Sequence, residues 1–270
     1  MIKKIILIVI VILLAIIFWF EVPVTEHIKV SGNDKVDTPI RIALITDLHS
    51  CYYGRNQSQL IKMIDDENVD FILMSGDIFD DKFSEKNARL FIEGVCDRYP
   101  CFYVTGNHEF WSGRQDEIKE YLEAHNVMAL EGEYSAIEVN GNTIVIAGVD
   151  DPTYMTMDDW TRQLKEADCG EEYQDSYKIL LSHRPELVDV YAGYDYDLVV
   201  CGHAHGGQWR IPFTGVGVVS PNQGRFPKYV DGLYELSNGT DMVVSRGLCR
   251  ERMPYPRFFN HPEVVIIDVE

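Results

Sequence analysis

Acidic, amide and imidazole side chains directly follow five short apolar runs of this chain. These polar groups are Asp47 and His49, Asp77, Asn107 and His108, His183, and His203 and His205. Carboxylate and imidazole ligands together suit borderline divalent metals such as Mn²⁺, Fe²⁺ or Zn²⁺. Because loops at the carboxyl ends of strands are where α/β proteins bind ligands, we expect these side chains to form a metal site.

A structural explanation of each histidine has to be weighed against this one. A single histidine after a strand is more often a capping or surface residue than a metal ligand. Five of the eight histidines lie in the polar clusters, whereas His27, His125 and His261 do not. Their ordered recurrence at five strand ends favours a shared site over independent surface histidines.

The elements that must position these residues alternate between strands and helices. The apolar runs that precede the clusters predict strands at residues 41–46, 71–75, 101–105, 178–182 and 198–201. Residues 142–148 and 263–269 predict further buried strands, and a first strand is expected near residues 25–30. Helical spacing of apolar residues occurs at 57–67, 84–96 and 115–125. This alternation predicts an α/β fold whose sheet gathers the polar loops at one edge.

Composition limits the class of protein. The 270 residues carry 24 basic and 43 acidic side chains, which gives a formal net charge of −19 and argues against a nucleic-acid-binding surface. Hydrophobic residues make up 46 % and charged residues 25 %, as in globular proteins. Six cysteines without a C-x-x-C pair are too few for a disulfide scaffold, and Cys96 and Cys101 are expected to stay unpaired.

The amino-terminal segment departs from this soluble character. Residues 5–20 contain no charged side chain and would form roughly 24 Å of helix. No small-x-small cleavage pattern follows, which favours an uncleaved membrane anchor. Lys3 and Lys4 precede the run while Glu21 and Glu26 follow it, and this bias predicts an extracytoplasmic domain and a single-pass cell-membrane protein.

The complete set of motifs resembles the calcineurin-like metallophosphoesterases. Their pattern of D-x-H, G-D-x-x-D, G-N-H-E/D, a lone histidine and G-H-x-H appears at residues 47–49, 76–80, 106–109, 183 and 202–205. The resemblance implies a layered α/β fold with a central β-sandwich flanked by helices, preceded here by one N-terminal hydrophobic helix. It divides the chain into an anchor at 1–22, a tether and first strand at 23–40, and a catalytic domain at 41–270.

The resemblance also implies the metal ligands. One ion would be held by Asp47, His49, Asp77 and His205, and the other by Asp77, Asn107, His183 and His203. The implied cofactors are two divalent ions, with Mn²⁺ favoured and Fe or Zn as alternatives. A pair of ions that shares one carboxylate can clamp the entering and leaving oxygens of a phosphoester and bind a bridging hydroxide as nucleophile.

The family pattern makes His108 the general acid that protonates the leaving oxygen. Asp80, the second aspartate of G-D-x-x-D, would orient its imidazole. The alternative for Asp80 is a cap on the helix predicted at 84–96. Asp81 and Glu109 are expected to be solvated or supporting charges.

The substrate class follows from one departure from the family pattern. Phosphoprotein phosphatases of this superfamily carry arginine directly after G-D-x-x-D, whereas this chain has Asp81. A negative charge there disfavours a dianionic monoester and leaves a diester or pyrophosphate. The motifs after residue 205 resemble the membrane-associated YkuE/YaeI-like phosphodiesterase branch, which implies a phospholipid-like or cell-envelope substrate. The alternatives are a phosphomonoesterase or nucleotide phosphohydrolase, and an inactive binding scaffold; the substrate-binding residues and the oligomeric state are unknown.

Overall fold

The computed structural model describes residue 4, residues 19–250 and residues 256–270. The helix predicted for the apolar run at residues 5–20 therefore lies almost entirely outside the described residues. Within the described part of the chain, no helix is both long enough and apolar enough to cross a membrane.

The first of two six-stranded sheets contains three of the five strands that precede the polar clusters. Its order is β1-β14-β2-β3-β4-β5. The strands are β1 (Val24–Val30), β2 (Ile40–Ile45), β3 (Phe71–Ser75), β4 (Cys101–Val104), β5 (Val127–Ala129) and β14 (Glu263–Val269). The strands from β2 to β5 are parallel, and β14 runs antiparallel to β2 and parallel to β1.

The second sheet contains the other two strands that precede polar clusters. Its order is β12-β13-β9-β8-β7-β6, with β7, β8, β9 and β13 parallel and an antiparallel strand at each edge. The strands are β6 (Glu133–Val139), β7 (Asn142–Gly148), β8 (Tyr177–Leu181), β9 (Leu198–Cys201), β12 (Gly232–Glu235) and β13 (Asp241–Val244). A separate ribbon joins β10 (Val219–Ser220) to β11 (Gly224–Arg225).

Helices cover the outer faces of both sheets. They are α1 (Ser58–Asp65), α2 (Lys86–Val95), α3 (Asn107–Ser112), α4 (Gln115–Glu123), α5 (Met157–Glu166) and α6 (Val188–Tyr191). Among the described residues, three short 3₁₀ turns occur, at Arg55–Gln57, Gly170–Tyr173 and His205–Gly207. The predicted helices at 57–67, 84–96 and 115–125 are confirmed with ends that shift by at most two residues.

Alternating side chains place two hydrophobic layers on each central strand. In β2, Ile42 and Leu44 pack between the sheets, whereas Ala43 and Ile45 face the helices. The space between the sheets is filled from the other side by residues such as Ile144 and Ile146 of β7. This helix, sheet, sheet, helix arrangement confirms the central β-sandwich flanked by helices. The expectation of a single sheet edge was wrong, because apolar runs buried on both faces look alike whether they share one sheet or two.

Candidate metal centre

The polar loops of both sheets meet at one end of the sandwich. The backbone N–H of Asp47, after β2, donates to Gly76 O after β3 at 3.0 Å. The backbone N–H of His203, after β9 of the second sheet, donates to Asp47 Oδ2 at 3.0 Å. His183 Nδ1, after β8, donates to Ser75 O of β3 at 2.8 Å. These bonds tie the loops of the two sheets into one site.

Asp77 occupies the centre of this site. Its Oδ2 lies 3.2 Å from His183 Nε2 and 3.6 Å from His49 Nε2. Its Oδ1 accepts the backbone N–H of His108 at 2.8 Å. Only 1 % of the Asp77 residue surface is exposed, so its carboxylate joins both halves of the site away from bulk water.

Two groups of side chains could each hold a metal ion. Asp47, His49 and His205 form one group, and Asp77, His183 and His203 form the other, with ligand atoms within 4.8 Å of one another. Two further groups include His108. In one of them it is joined by His49 and Asp77, and in the other by Asp80 and Asp81. Asn107 lines the same pocket as Asp77 and His203. The seven predicted ligands are thus brought to one place, while their role as ligands stays a prediction.

The hydrogen bonding of the His49 and His183 imidazoles suits metal ligands. His183 Nδ1 faces a carbonyl oxygen and must carry a proton, so the neutral imidazole, the form that binds a metal, has its lone pair on Nε2. His49 Nδ1 lies 3.3 Å from Asp80 Oδ2 in the same way. The buried His49 Nε2, His183 Nε2 and Asn107 Oδ1 have no hydrogen-bond partner in favourable geometry. Because buried polar atoms are rarely left unsatisfied, nitrogen and oxygen atoms with free lone pairs fit a borderline divalent cation.

Without metal, protonated imidazoles compensate the negative charges of the buried carboxylates. Burial opposes a charge on His183, yet the neighbouring Asp77 carboxylate raises the imidazole pKa to about 10. Burial likewise opposes a charge on His49, but its hydrogen bond to Asp80 raises its pKa to about 9. Burial and the nearby charges of His183 and Arg184 lower the pKa of His203 to about 3. Cation binding would displace the protons of His49 and His183, as expected when metal and protons compete for one nitrogen.

Five of the seven predicted ligands have left-handed backbone geometry. Positive φ angles between 46° and 65° occur at Asp47, His49, Asp77, His203 and His205. Such angles are uncommon for residues with a side chain and are held in place only when surrounding contacts determine them. Their occurrence at five of the seven predicted ligands indicates that the loop conformations direct these side chains into the site.

Two glycines allow neighbouring loops to approach the predicted aspartate ligands closely. A Cβ at Gly202 would lie 2.4 Å from Asp47 Oδ2, and a Cβ at Gly106 would lie 2.2 Å from Asp77 Oδ1. Neither contact is possible for a larger residue without movement of the carboxylate. The glycines of G-N-H-E and G-H-x-H therefore make room for the two predicted aspartate ligands.

Glu109 is buried and fastens the loop that carries Asp77. Its carboxylate accepts the backbone N–H groups of Asp77 at 3.0 Å, Phe79 at 2.9 Å and Gly106 at 2.8 Å. Burial and the Asp77 charge raise the pKa of Glu109 to about 7. Glu109 is a support of the site, because it holds the loops after β3 and β4 together.

His108 has a different partner from the one expected. Its Nδ1 donates to Asp81 Oδ1 at 2.7 Å, whereas Asp80 Oδ2 is 3.8 Å away. Asp80 instead contacts His49, and its Oδ1 accepts the backbone N–H groups of Lys82 and Phe83. It does not cap a helix, since α2 begins only at Lys86 and lacks a side-chain cap. In this structure Asp81 orients His108, and Asp80 orients a predicted metal ligand.

A buried arginine beside the site was missed from the sequence. Arg184 Nη1 lies 2.9 Å from His203 Nε2 and 2.7 Å from Asn222 Oδ1. Its Nη2 donates to Asp151 Oδ1 at 2.8 Å, and Nε donates to the other oxygen of the same carboxylate. Arg184 directly follows His183, and this adjacency was the only available signal. His203 is therefore held in place by Arg184 and Asn222, and Arg184 is held by Asp151.

The site opens into a pocket of about 520 Å³. Its lining combines predicted ligands with Trp111, Arg184, Gln208 and a loop from Val219 to Asn222. The side chain of His108 is 20 % exposed and its ring lies 4.7 Å from that of Trp111. A substrate in the pocket would therefore reach His108 and the centre around Asp77 together.

Three further arginine or histidine side chains are engaged in contacts with other groups. The side chain of Arg246 is only 13 % exposed and donates to Glu263. His125 Nδ1 donates to Tyr121 O, and His261 Nδ1 donates to Val22 O. All six cysteines are buried, and none of them forms a disulfide.

A family model described as calcineurin-like phosphoesterase matches residues 40–207. The matched range contains all seven predicted ligands together with His108. The chain therefore belongs to the calcineurin-like phosphoesterase family, as its motifs predicted.

Curated relatives agree with this assignment. The chain is 30 % identical over 244 residues to an uncharacterized metallophosphoesterase of Aquifex aeolicus, with 86 % of each chain covered. It is 26 % identical over 253 residues to the uncharacterized metallophosphoesterase YkuE of Bacillus subtilis, with 91 % of this chain and 85 % of the relative covered. Other relatives are longer, since the chain spans only 55–59 % of those from Helicobacter pylori and Campylobacter jejuni.

Solved structures share the fold at low sequence identity. An NAD nucleotidase (NadN) from Haemophilus influenzae superposes with a TM-score of 0.55 at 16 % identity, covering 78 % of this chain and 46 % of that one. The TT1561 protein of Thermus thermophilus superposes with a TM-score of 0.51 at 15 % identity, and the match covers 78 % of this chain and 91 % of that one. At this identity the likeness concerns the fold alone.

Proposed function

We propose that the protein is a two-metal phosphoesterase that prefers phosphodiesters or pyrophosphates and acts on a phospholipid-like or cell-envelope substrate. The observation that carries this proposal is the arrangement of two possible metal-binding groups around the buried carboxylate of Asp77. Family membership supports the phosphoester chemistry. An inactive scaffold would not need buried ligand atoms that lack hydrogen-bond partners.

The residues present fit the expected metals. Asp47, His49, Asp77 and His205 would hold one ion, and Asp77, Asn107, His183 and His203 would hold the other. We expect Mn²⁺, with Fe or Zn as alternatives, because the donors combine carboxylate, amide and imidazole. Bound ions of this kind supply Lewis acidity that polarises a phosphoryl group and activates water.

The chain itself supplies the proton and its positioning. His108 lies at the pocket and donates through Nδ1 to Asp81, so its Nε2 is the nitrogen available to a leaving oxygen. A carboxylate partner of this kind holds an imidazole in one tautomer and orientation. Release of the leaving group would follow proton donation from His108.

The charges near the pocket support a diester over a monoester. Asp81 places a negative group 2.7 Å from His108, where a dianionic phosphate would be repelled. Arg184 is the only lysine or arginine among the described residues that line the pocket, and its charge is already paired with Asp151. A singly charged diester makes less demand for an additional cation than a dianion does.

Two chromogenic substrates test the preference. Purified Mn²⁺-loaded protein should hydrolyse bis-p-nitrophenyl phosphate with a kcat/KM at least roughly tenfold above that for p-nitrophenyl phosphate. Asp77→Asn should lose both activities by on the order of 10³-fold and lose metal, while the exposed Asp159→Asn should keep them. A preference for the monoester would contradict the diester proposal, and an inactive, metal-free protein would favour the scaffold.

We also propose that the run at residues 5–20 holds the protein at the cell membrane with its domain on the extracytoplasmic side. The uncharged run and the preceding lysines support this placement. Fractionation of cells that express the full chain should leave it in the membrane pellet after a carbonate wash, and external protease should digest the domain in spheroplasts. Recovery in the soluble fraction, or protection from protease, would contradict the anchor or its orientation respectively.

A further inference from the structure

A strongly apolar groove lies beside the pocket of the candidate metal centre. It has a volume of about 340 Å³ and is lined by Trp209, Val218, Val219 and Phe226, with Gln208 and Arg225 at its edges. Gln208 and Val219 also line the 520 Å³ pocket that contains Asp77 and His203. The groove therefore continues from the polar pocket rather than forming a separate depression elsewhere.

The groove exposes large apolar side chains. Trp209 is 45 % exposed, Val219 46 % and Phe226 64 %. Single exposed hydrophobic residues are common, but adjacent ones beside a pocket indicate a surface that is covered when a ligand binds. Among the described lining residues, Arg225 is the only charged one.

Backbone hydrogen bonds fix the groove relative to the metal centre. Phe226 N–H donates to Val218 O at 3.0 Å, and Val218 N–H donates to Trp209 O at 2.8 Å. Val218 N–H also lies 3.1 Å from Gly207 O, at the end of the 3₁₀ turn that begins with His205. The apolar walls are thus connected through a short backbone path to a predicted metal ligand.

The amino-terminal segment enters the domain on the groove side. The ring of Phe20 lies 4.6 Å from that of Phe259 and 5.6 Å from that of Phe258. Phe258 forms a β-bridge with Trp209, a wall of the groove. Phe20, at the end of the apolar run, is therefore separated from the groove only by the backbone around Phe258.

We propose that this groove binds the hydrocarbon tail of an amphiphilic phosphoester while its phosphate occupies the metal centre. The inference rests on the proposed function for the phosphate end and adds a tail subsite to it. A sugar or nucleoside substituent in the groove would lose its hydrogen bonds to water, and the walls have almost no hydrogen-bonding groups to replace them, which is unfavourable. An alkyl chain would instead remove both its own surface and the exposed walls from water.

A series of alkyl phosphonates tests the tail subsite by binding alone. Calorimetry on the full, Mn²⁺-loaded chain in a mild non-ionic detergent would compare the methyl, butyl and octyl monoesters of methylphosphonic acid, which carry a single negative charge as a diester does. Affinity should rise by roughly two- to fourfold per added methylene, with an increasingly negative heat-capacity change. An affinity that does not change with chain length would overturn the tail subsite.

Two exposed phenylalanines provide the variant and its matched control. Phe226 lies in the groove and Phe213 lies outside it, and both have positive φ angles, 55° and 64°, that asparagine tolerates. Phe226→Asn should lower the octyl-to-methyl affinity ratio by about tenfold, and Phe213→Asn should leave it unchanged. Because detergent partition is the same for all variants, equal ratios in the two variants would refute the groove assignment.

Hydrolysis of bis-p-nitrophenyl phosphate in the same samples separates the two proposals. Intact hydrolysis with equal affinity ratios in both variants would refute the tail subsite and leave the phosphodiesterase proposal standing. Absence of hydrolysis with chain-length-dependent binding that Phe226→Asn reduces would support the tail subsite and refute the proposed reaction.

Discussion

Replacing Gly106 by alanine tests whether Asp77 must keep its present position. The new Cβ would lie 2.2 Å from Asp77 Oδ1, whereas real Cβ atoms essentially never approach closer than 3.0 Å. The carboxylate must therefore move by about 0.8 Å, and the backbone N of Asp77, 2.5 Å from the new Cβ, by about 0.5 Å. Gly106 has φ −108°, which alanine adopts freely, so the clash and not backbone strain is the perturbation.

The surrounding hydrogen bonds leave little room to relieve this clash through the backbone. The N–H groups of Asp77 and Gly106 donate to the same oxygen of Glu109, at 3.0 Å and 2.8 Å. Separating them would lose a hydrogen bond to a buried carboxylate, worth about 1.5–3 kcal/mol. Because the backbone N of Asp77 would itself lie only 2.5 Å from the new Cβ, the backbone of Asp77 must move together with its carboxylate, which weakens one of these bonds. A misplacement of about 1 Å commonly costs about 100-fold in rate, and we expect a loss of that size in kcat/KM.

Activity on bis-p-nitrophenyl phosphate, metal content by mass spectrometry and the melting temperature would be measured together. Gly193→Ala is the matched control, because its Cβ would meet only Val190 O at 3.2 Å, far from the proposed ligands. The control should retain activity and metal. Wild-type activity with two bound metals in Gly106→Ala would refute the reasoning that places Asp77 between the ions.

Three further perturbations test other contacts of the site. Asp81→Asn should lower kcat by roughly 10–100-fold with little loss of metal, because His108 loses its charged partner; an unchanged kcat would dismiss this pairing. Asp151→Asn should lower the free energy of unfolding by about 3–5 kcal/mol in urea melts, because Arg184 is left buried without its carboxylate. The exposed Asp159→Asn should change the free energy of unfolding by less than about 1 kcal/mol. Equal losses in the Asp151 and Asp159 variants would contradict the argument from burial. Removal of metal by a chelator should lower the melting temperature by roughly 5–15 °C, and no change would indicate that the buried groups hold no metal.

The positions of the predicted ligands could be inferred from sequence because each follows a short apolar strand. The strand at Phe71–Ser75 ends directly before Gly76 and Asp77, and Leu198–Cys201 ends directly before Gly202 and His203. Strand ends restrict a side chain to one edge of a sheet, so motif order and strand order together locate it. The partition of these strands between two sheets could not be inferred, since their nearly continuous burial hides which face meets which neighbour.

The partner of His108 could not be chosen from sequence for a local geometric reason. Asp80 and Asp81 are adjacent, and the turn in which Asp80 accepts backbone N–H groups decides which carboxylate reaches the imidazole. The role of Arg184 depended on Asp151, which lies 33 residues earlier in the chain. Side-chain pairs that depend on loop conformation, or on residues far apart in the chain, produce no periodic pattern in the sequence, so only the structure identifies them.

The unusual backbone of the site has a consequence for its stability. Five predicted ligands adopt left-handed conformations, and these are held by bonds that cross between sheets, such as that from His203 N–H to Asp47. Each such conformation costs of the order of 1–3 kcal/mol, although aspartate and histidine tolerate it better than most residues. Burial and repulsion from the charge of Asp77 raise the pKa of Asp47, whereas the protonated His183 lowers the pKa of Asp77 despite its burial. Because bound cations would remove that repulsion without changing the backbone, most of the stabilisation by metal should arise from charge compensation rather than from new folding.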